Sequence, residues 1–331
     1  MASLPQPRGP VSEALFAALR QPPHPLALPE EPFAFEDLQL ALYCLYELHY
    51  RGFAGVDDAW EWDPGLLAVR AVLERAFEAD VRELAGTPGE PPAPDRIDVE
   101  IRELMQSDDA PSVSTYIERE ATREQVLEFL VHRSAYQLKE ADPHSWAIPR
   151  LHGTPKAALV EIQADEYGEG RPDQIHAQLF ARSMDALELD STYGAYLDQI
   201  PGVTLATVNL MSWMGLHRRR RGAIVGHLAL FEMTSSVPNR RYGSGLRRLG
   251  WESEGAVAFF DVHVVADAVH ESIAAVDLAG GLARQDARLG ADVLWGARAL
   301  LAVDGRWARH MMAAWEAGES SLYDGGVLAT R

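Results

Sequence analysis

Helical periodicity runs through nearly the whole sequence and is the feature that most constrains its fold. Apolar residues recur three and four positions apart in one segment after another, and no stretch alternates with period two for long enough to predict a strand. No repeat of fixed length is present. The sequence therefore predicts an all-α protein. Helices are expected at residues 11–19, 35–50, 64–85, 99–105, 112–118, 122–141, 155–184 with an interruption near 168–172, 187–199, 205–219, 221–236, 239–249, 254–278 and 286–318.

Prolines, glycines and the helical pattern together predict four parts. Residues 1–34 form a proline-rich N-terminal arm, residues 35–121 an N-terminal helical extension, residues 122–320 a helical core and residues 321–331 a C-terminal tail. Within the extension, Asp63 is predicted to cap a long helix that begins at Pro64, because an Asp side chain accepts bonds from free N–H groups and proline fits the first turn.

The composition narrows the class of protein. The 331 residues are 47% hydrophobic, which is ample for a core. A net charge of -19 argues against duplex DNA or an anionic membrane as a partner, since both attract basic surfaces. No apolar run of about 18 residues is present to span a membrane, so we expect a cytoplasmic protein. Cys44 is the single cysteine and lies in an apolar helical segment, which argues against a disulfide and against a reactive thiol.

Three polar residues interrupt an apolar helix late in the core. His263, Asp267 and His270 recur at i, i+4 and i+7, which stacks them on one helical stripe. The residues between them are valine and alanine, so the helix has no other polar face and is expected to be buried nearly all round. A buried Asp is costly unless it is paired or bound to a cation. Imidazole and carboxylate suit non-haem iron or manganese; the alternative is a surface helix with its polar face outward.

Other helices offer further candidate ligands. Glu232 has apolar neighbours on both sides, although pairing with nearby arginines is the alternative. Glu166 precedes His176 by ten residues, which leaves the two side chains roughly 80° apart on an ideal helix. Glu140 closes a predicted helix and, taken alone, would be a solvated terminal charge.

A break in the helical pattern follows Glu166. Glycines at 168 and 170 and a proline at 172 predict a bulge or a loop there, and such defects are common beside functional sites. The break could move Glu166 away from a metal and leave Asp165 or Glu169 as the ligand, and Glu161 is a further acidic candidate in the same run.

Read together, these positions resemble the ligand series of the haem-oxygenase-like diiron oxidases and oxygenases, a family of iron-containing redox enzymes. The matching series is Glu140, Glu166, His176, Glu232, His263, Asp267 and His270, and the resemblance covers roughly residues 120–280. It implies a seven-helix haem-oxygenase-like bundle that holds two non-haem irons and no haem. It also implies dioxygen activation to a peroxo-level oxidant and oxidation of a small amine, amino acid or carboxylic acid, with natural-product metabolism as the expected setting.

The resemblance also implies how the ligands divide. His263, Asp267 and Glu166 would hold one iron, and Glu140, His176 and His270 the other. Glu232 would bridge the two irons or be shared between them. The expected partners are a small-molecule substrate, an external reductant and a second copy of the chain.

Other functions remain open from the residues alone. A metal-independent enzyme of the same fold would need a reactive cysteine or a dedicated pocket, for which Cys44 is badly placed. A non-catalytic helical binding protein would use the acidic and histidine residues in salt bridges and take up no metal. Arg240, Arg241 and Tyr242 lie between ligand-bearing helices and are candidates for binding a substrate carboxylate, with surface salt bridges as the alternative. The remaining histidines are expected to be structural or exposed.

Overall fold

The computed structural model describes residues 2–325, apart from the side chains of residues 265–269 and 325. All regular structure in that part of the chain is helical, which confirms the all-α prediction. The helices are α1 (Pro10–Leu19), α2 (Phe35–Glu47), α3 (Pro64–Ala85), α4 (Ile97–Gln106), α5 (Val113–Arg119), α6 (Arg123–Gln137), α7 (Asp142–Ser145), α8 (Gly153–Glu166), α9 (His176–Ala186), α10 (Gly202–Leu216), α11 (Arg221–Arg248), α12 (Glu254–Ser272), α13 (Gly281–Gln285) and α14 (Gly290–Glu316). A π-helix, Ile273–Gly280, joins α12 to α13.

The long helix α11 is the centre of the packing, with α14 along one side and α12 along another. The approach of α11 to α14 is close because glycine faces backbone on both helices. A Cβ at Gly226 would overlap the backbone of Val293, and a Cβ at Gly296 would overlap the backbone of Ala223. The two glycines therefore fix how near these helices can lie.

Gly296→Ala is expected to lower the free energy of unfolding by roughly 1–3 kcal/mol, because backbone on the facing helix has to move. Gly255→Ala is the matched control, since a Cβ there meets only the Ala186 Cβ at 3.7 Å and alanine favours helix. Urea unfolding of both variants checks this. A Gly296→Ala protein as stable as the Gly255→Ala protein would contradict the close-packing argument.

The N-terminal helices pack onto the core through an apolar cluster that runs from α1 to the end of α14. Helix α2 lies against α10, and α3 lies against α14. At the end of α2, Glu47 Oε2 lies 2.8 Å from Lys139 Nζ, and both side chains are almost wholly buried. This ion pair attaches α2 to the turn that follows α6. Within the described residues, no helix is both long and apolar enough to cross a membrane.

Some predicted boundaries are confirmed. Helix α3 runs from Pro64 to Ala85 as expected, and the Asp63 side chain accepts a bond from Leu66 N at 2.8 Å. Cys44 is fully buried in α2. Helix α6 ends at Gln137, earlier than expected, so Glu140 lies in the following turn, where Ala141 has a positive φ of 72°.

Three helix predictions are wrong. Residues 187–199 form turns, because positive φ values at Glu188 and Gly194 end helical geometry. The helices expected at 221–236 and 239–249 are one helix, α11, with Pro238 inside it. Proline removes one helical bond, and packing against α12 and α14 is sufficient to keep the helix continuous. The helix expected to reach residue 278 ends at Ser272 and continues as the π-helix.

Candidate metal centre

Carboxylates and imidazoles from five segments converge inside the core. They are buried, although ionisable groups are seldom buried without partners. They come from the turn after α6, the end of α8, the start of α9, the middle of α11 and two positions on α12: Glu140, Glu166, His176, Glu232, His263 and His270.

The first group of candidate ligands brings together Glu140, Glu166, His176 and His263. Each residue offers one ligand atom, and these atoms all lie within 4.8 Å of one another. His176 Nδ1 is 2.9 Å from Glu166 Oε2, and His263 Nε2 is 3.7 Å from Glu140 Oε2. Two carboxylates and two imidazoles around one point can coordinate a transition-metal ion.

The second group shares Glu166 with the first and adds Glu232 and His270, again within 4.8 Å. His270 Nδ1 lies 3.3 Å from Glu232 Oε2. The other ring nitrogen, Nε2, lies 2.8 Å from Asp165 Oδ2. A carboxylate on the far nitrogen of a metal-binding imidazole commonly fixes its orientation. Asp165 therefore has an outer position, behind His270.

The chain reverses after α8, and this reversal brings Glu166 and His176 together. Gly168 has a positive φ of 63°, and a Cβ there would collide with the backbone of Gln174. Only glycine allows that approach without strain. Glu166 stays in the centre, so the displacement considered for it does not occur. Glu169 lies in the exposed turn and pairs with Arg171 at 2.7 Å.

The orientation of His263 is set by its own helix. Its Nδ1 lies 2.7 Å from the Phe259 carbonyl oxygen, one turn earlier in α12. The carbonyl can only accept, so Nδ1 carries the proton and donates. In its neutral form, the ring then has its lone pair on Nε2, the nitrogen that faces Glu140. That is the tautomer a metal ligand requires.

Opposing effects shift the pKa values in the centre. Burial raises the pKa of Glu140. Burial acts on Glu166 in the same direction, but the surrounding imidazoles, His176 foremost, outweigh it and lower its pKa. Burial lowers the pKa of His270, whereas bonds to carboxylates, Glu232 foremost, outweigh it and raise the pKa to about 9. Strong, opposed shifts of this kind are typical of functional sites.

Several ligand atoms lack the hydrogen bonds that buried polar atoms normally make. Glu140 Oε2, Glu166 Oε2 and His176 Nδ1 are buried and have no hydrogen-bond partner among the described residues. The last two are 2.9 Å apart but are not oriented for a hydrogen bond. A cation between these atoms would satisfy all three, so the residues fit a bound metal.

Comparison with known proteins agrees with this chemistry. The model of the family described as iron-containing redox enzymes matches residues 127–305, more than half of the chain. The chain belongs to that family. All six buried candidate ligands of this iron-containing redox enzyme lie inside the matched region. No curated protein matches the sequence.

The grouping of the ligands differs from the division implied by the resemblance. Glu140 and His176 lie with His263 and not with His270. The turn after α6 and the start of α9 lie at the His263 position of α12: Glu140 Oε2 is 3.7 Å from His263 Nε2, and the His176 and His263 ring centroids are 4.4 Å apart. His270 lies seven residues further on, about 10 Å along the axis of α12. The residue common to both groups is Glu166 instead of Glu232. Asp267 lies outside the residues whose side chains are described.

A small cavity of about 10 Å³ lies among the ligands, and a larger pocket of about 270 Å³ lies beside it. Phe231 and Ser235 of α11 line both spaces. The two residues form the boundary between the metal centre and the pocket. A pocket beside a redox metal is where a substrate of this iron-containing redox enzyme would bind.

The arginine that lines this pocket is neither Arg240 nor Arg241, the two arginines expected to bind a substrate carboxylate. Tyr242 lines the pocket, whereas Arg240 is exposed. Arg241 Nη1 lies 3.4 Å from the hydroxyl of Ser114, which is one of the residues that line the pocket. The arginine among the lining residues is Arg133 of α6. The residues around Arg133 in the sequence show an ordinary helical pattern, so nothing local distinguishes it from a surface arginine.

A buried histidine pair also borders the ligands. His144 Nε2 lies 3.2 Å from His227 Nδ1, and His144 lines the small cavity. Burial lowers the pKa of both rings, that of His144 to about 4, so both are neutral at ordinary pH. The pair matches the structural role expected for the remaining histidines, next to the centre but outside both ligand groups.

Proposed function

We propose that this protein is a non-haem diiron enzyme that uses dioxygen to oxidise a small amine, amino acid or carboxylic acid. The observation that carries the proposal is the pair of overlapping ligand groups, which share Glu166 and so suit two metal ions held side by side. A bridging carboxylate between two ions is a recurrent feature of helical carboxylate-bound metal centres.

The donor types support iron. All candidate ligand atoms are carboxylate oxygens and imidazole nitrogens, and Cys44, the single cysteine, is buried in α2 outside both groups. Carboxylates offset the charge of two divalent ions, and imidazoles suit a redox-active first-row metal. Bound iron would supply the electron transfer to dioxygen, and an external reductant would restore it.

The protein residues have separate tasks. Glu140, His176 and His263 would hold one ion, Glu232 and His270 the other, and Glu166 would join them. Asp165 would hold the His270 ring in place from its far nitrogen. The adjoining pocket would position the substrate behind Phe231 and Ser235.

The alternatives explain less. In a binding protein whose acidic and histidine residues form salt bridges, the three buried ligand atoms that have no hydrogen bond among the described residues would remain a cost. A metal-independent enzyme with a thiol nucleophile would need Cys44, but its thiol is fully buried, and burial raises its pKa well above the ordinary value. It also lies outside the lining of the large pocket.

Anaerobic titration of the metal-free protein with ferrous iron tests the proposal. We expect two irons per chain, measured by metal analysis after desalting, followed by dioxygen consumption when air is admitted. A zinc-loaded sample is the control, because zinc has no redox chemistry and should leave dioxygen unused. Protein that takes up no iron, with or without amines and acids present, would contradict the proposal.

A further inference from the structure

On the basis of the proposed diiron function, we propose that the large pocket binds an amino acid as a zwitterion, with Arg133 holding the carboxylate and Asp304 the ammonium group. The side chain of this substrate is aromatic or apolar and reaches toward the metals. The inference narrows three substrate classes to one and assigns two recognition residues.

The walls of the pocket suit an apolar side chain. Seven aromatic residues line it, among them Phe129, Tyr242, Phe260 and Trp307. Ring centroids are 4.5 Å apart for Phe129 and Tyr242 and 6.0 Å apart for Tyr242 and Phe260. An apolar cavity of about 150 Å³ holds benzene. A pocket of about 270 Å³ therefore has room for a ring that carries a short charged chain.

Arg133 offers a positive charge that no acidic side chain neutralises directly. Its guanidinium carbon lies 4.5 Å from the centre of the Trp307 ring and 5.6 Å from that of Phe129. Among the described residues, no carboxylate forms an ion pair with it. A guanidinium that stacks on rings can still bind a carboxylate along its edge through two parallel hydrogen bonds.

Asp304 offers the complementary negative charge. It lines the same pocket, and it has no hydrogen-bond donor among the described residues. Burial raises its pKa, while Arg133 opposes that shift. Asp304 precedes Trp307 by three residues, so both lie on one face of α14, about 5–6 Å apart at their Cβ atoms. Trp307 also contacts Arg133, and Arg133 is the foremost charge acting on Asp304, so the two charges face one part of the pocket.

The head group would lie away from the metals. Arg133 lies about one helical turn before Gln137, the last residue of α6, and Glu140 follows in the turn after that helix. Gln137 lies between them, and its buried Oε1 has no hydrogen-bond partner among the described residues. The substrate side chain would therefore pass Gln137 toward Phe231 and Ser235. The oxidised atom then belongs to the side chain of the amino acid.

Three probes that share a phenyl ring and chain length separate the two charges. L-Phenylalanine has both groups, 3-phenylpropanoate lacks the ammonium group, and 2-phenylethylamine lacks the carboxylate. We expect calorimetric titration of the full chain to give phenylalanine binding at least about tenfold tighter than either analogue, since each analogue lacks one charge-assisted hydrogen bond. Equal binding of the three, or no binding of phenylalanine, would overturn the inference.

Variants assign each charge to its residue. Arg133→Gln should bind phenylalanine and 2-phenylethylamine equally, and Asp304→Asn should bind phenylalanine and 3-phenylpropanoate equally. Arg240→Gln, an exposed arginine outside the pocket, is the control and should bind like the wild type. If Arg133→Gln does not fold, Arg133→Lys keeps the charge without the paired geometry and should weaken phenylalanine binding. Unchanged selectivity in folded variants would overturn the assignment.

Measuring iron uptake distinguishes a failure of this inference from a failure of the diiron proposal. Neither Arg133 nor Asp304 belongs to a ligand group, so both variants should take up as much iron as the wild type. Normal iron uptake without phenylalanine binding would overturn only the substrate inference. Absence of iron from the wild-type protein would instead contradict the diiron function.

Discussion

Under the proposed diiron function, Glu166→Gln is expected to abolish the binding of both irons. Its carboxylate is the member common to the two ligand groups, whereas every other candidate ligand with a described side chain belongs to one of them. A glutamine keeps the size of the side chain but removes the charge that would join two cations. Loss of even an outer partner lowers metal affinity by about 10–100-fold, so loss of a shared ligand should lower it by at least that factor at both positions. Metal analysis after anaerobic loading measures the effect.

Comparison variants make the result specific. Glu161→Gln changes an exposed carboxylate on the same helix and should leave two irons per chain. His176→Ala and His270→Ala each remove a ligand from a single group, so each should leave about one iron. If Glu166→Gln retained two irons while the histidine variants lost theirs, the shared role of Glu166 would be wrong.

Lys139→Met is expected to lower the free energy of unfolding by about 3–5 kcal/mol, because it leaves the Glu47 charge buried without its partner. Both side chains of the pair are almost wholly inaccessible to solvent. Glu47 keeps a bond from the Tyr193 hydroxyl at 2.7 Å, but a neutral donor does not replace an ammonium group. Denaturant unfolding of the metal-free protein measures the loss.

Two controls isolate the buried charge. Lys139→Met combined with Glu47→Gln removes both charges and should recover much of the stability, since replacing a whole buried pair costs less than breaking it. Arg96→Met breaks an exposed pair with Glu100, 3.2 Å apart, and should change stability by less than about 1 kcal/mol. A Lys139→Met protein as stable as the Arg96→Met protein would contradict the importance of the buried pair.

The all-α class and the candidate ligands could be predicted because both leave local signals. Helical spacing shows which face is apolar, and a charged residue on such a face is conspicuous, as with His263 and Glu232. The capped start of α3 at Asp63 is equally local. The ligand positions in the chain follow from residue type and spacing, although their roles as iron ligands remain a prediction.

The grouping of the ligands and the pocket depend on contacts between distant segments. Arg133 and Asp304 are 171 positions apart, and only the packing of α6 beside α14 brings them to one space. The sequence around each residue gives no sign that its charge lies in a pocket and not on the surface. The continuity of α11 through Pro238 is likewise a tertiary effect, because local preference favours a break there.

The candidate ligands are far apart in the sequence. Under the proposed function, the stability of the folded protein therefore depends on the supply of iron. Segments from Glu140 to His270 meet only in the native state, so the unfolded chain has no comparable site. By mass action, free iron at 100 times the dissociation constant would add about 2.7 kcal/mol to stability. A difference of that size changes the fraction of unfolded chains, and hence their exposure to proteases, by about 100-fold. Iron scarcity would thus lower the amount of this protein in the cell as well as its activity.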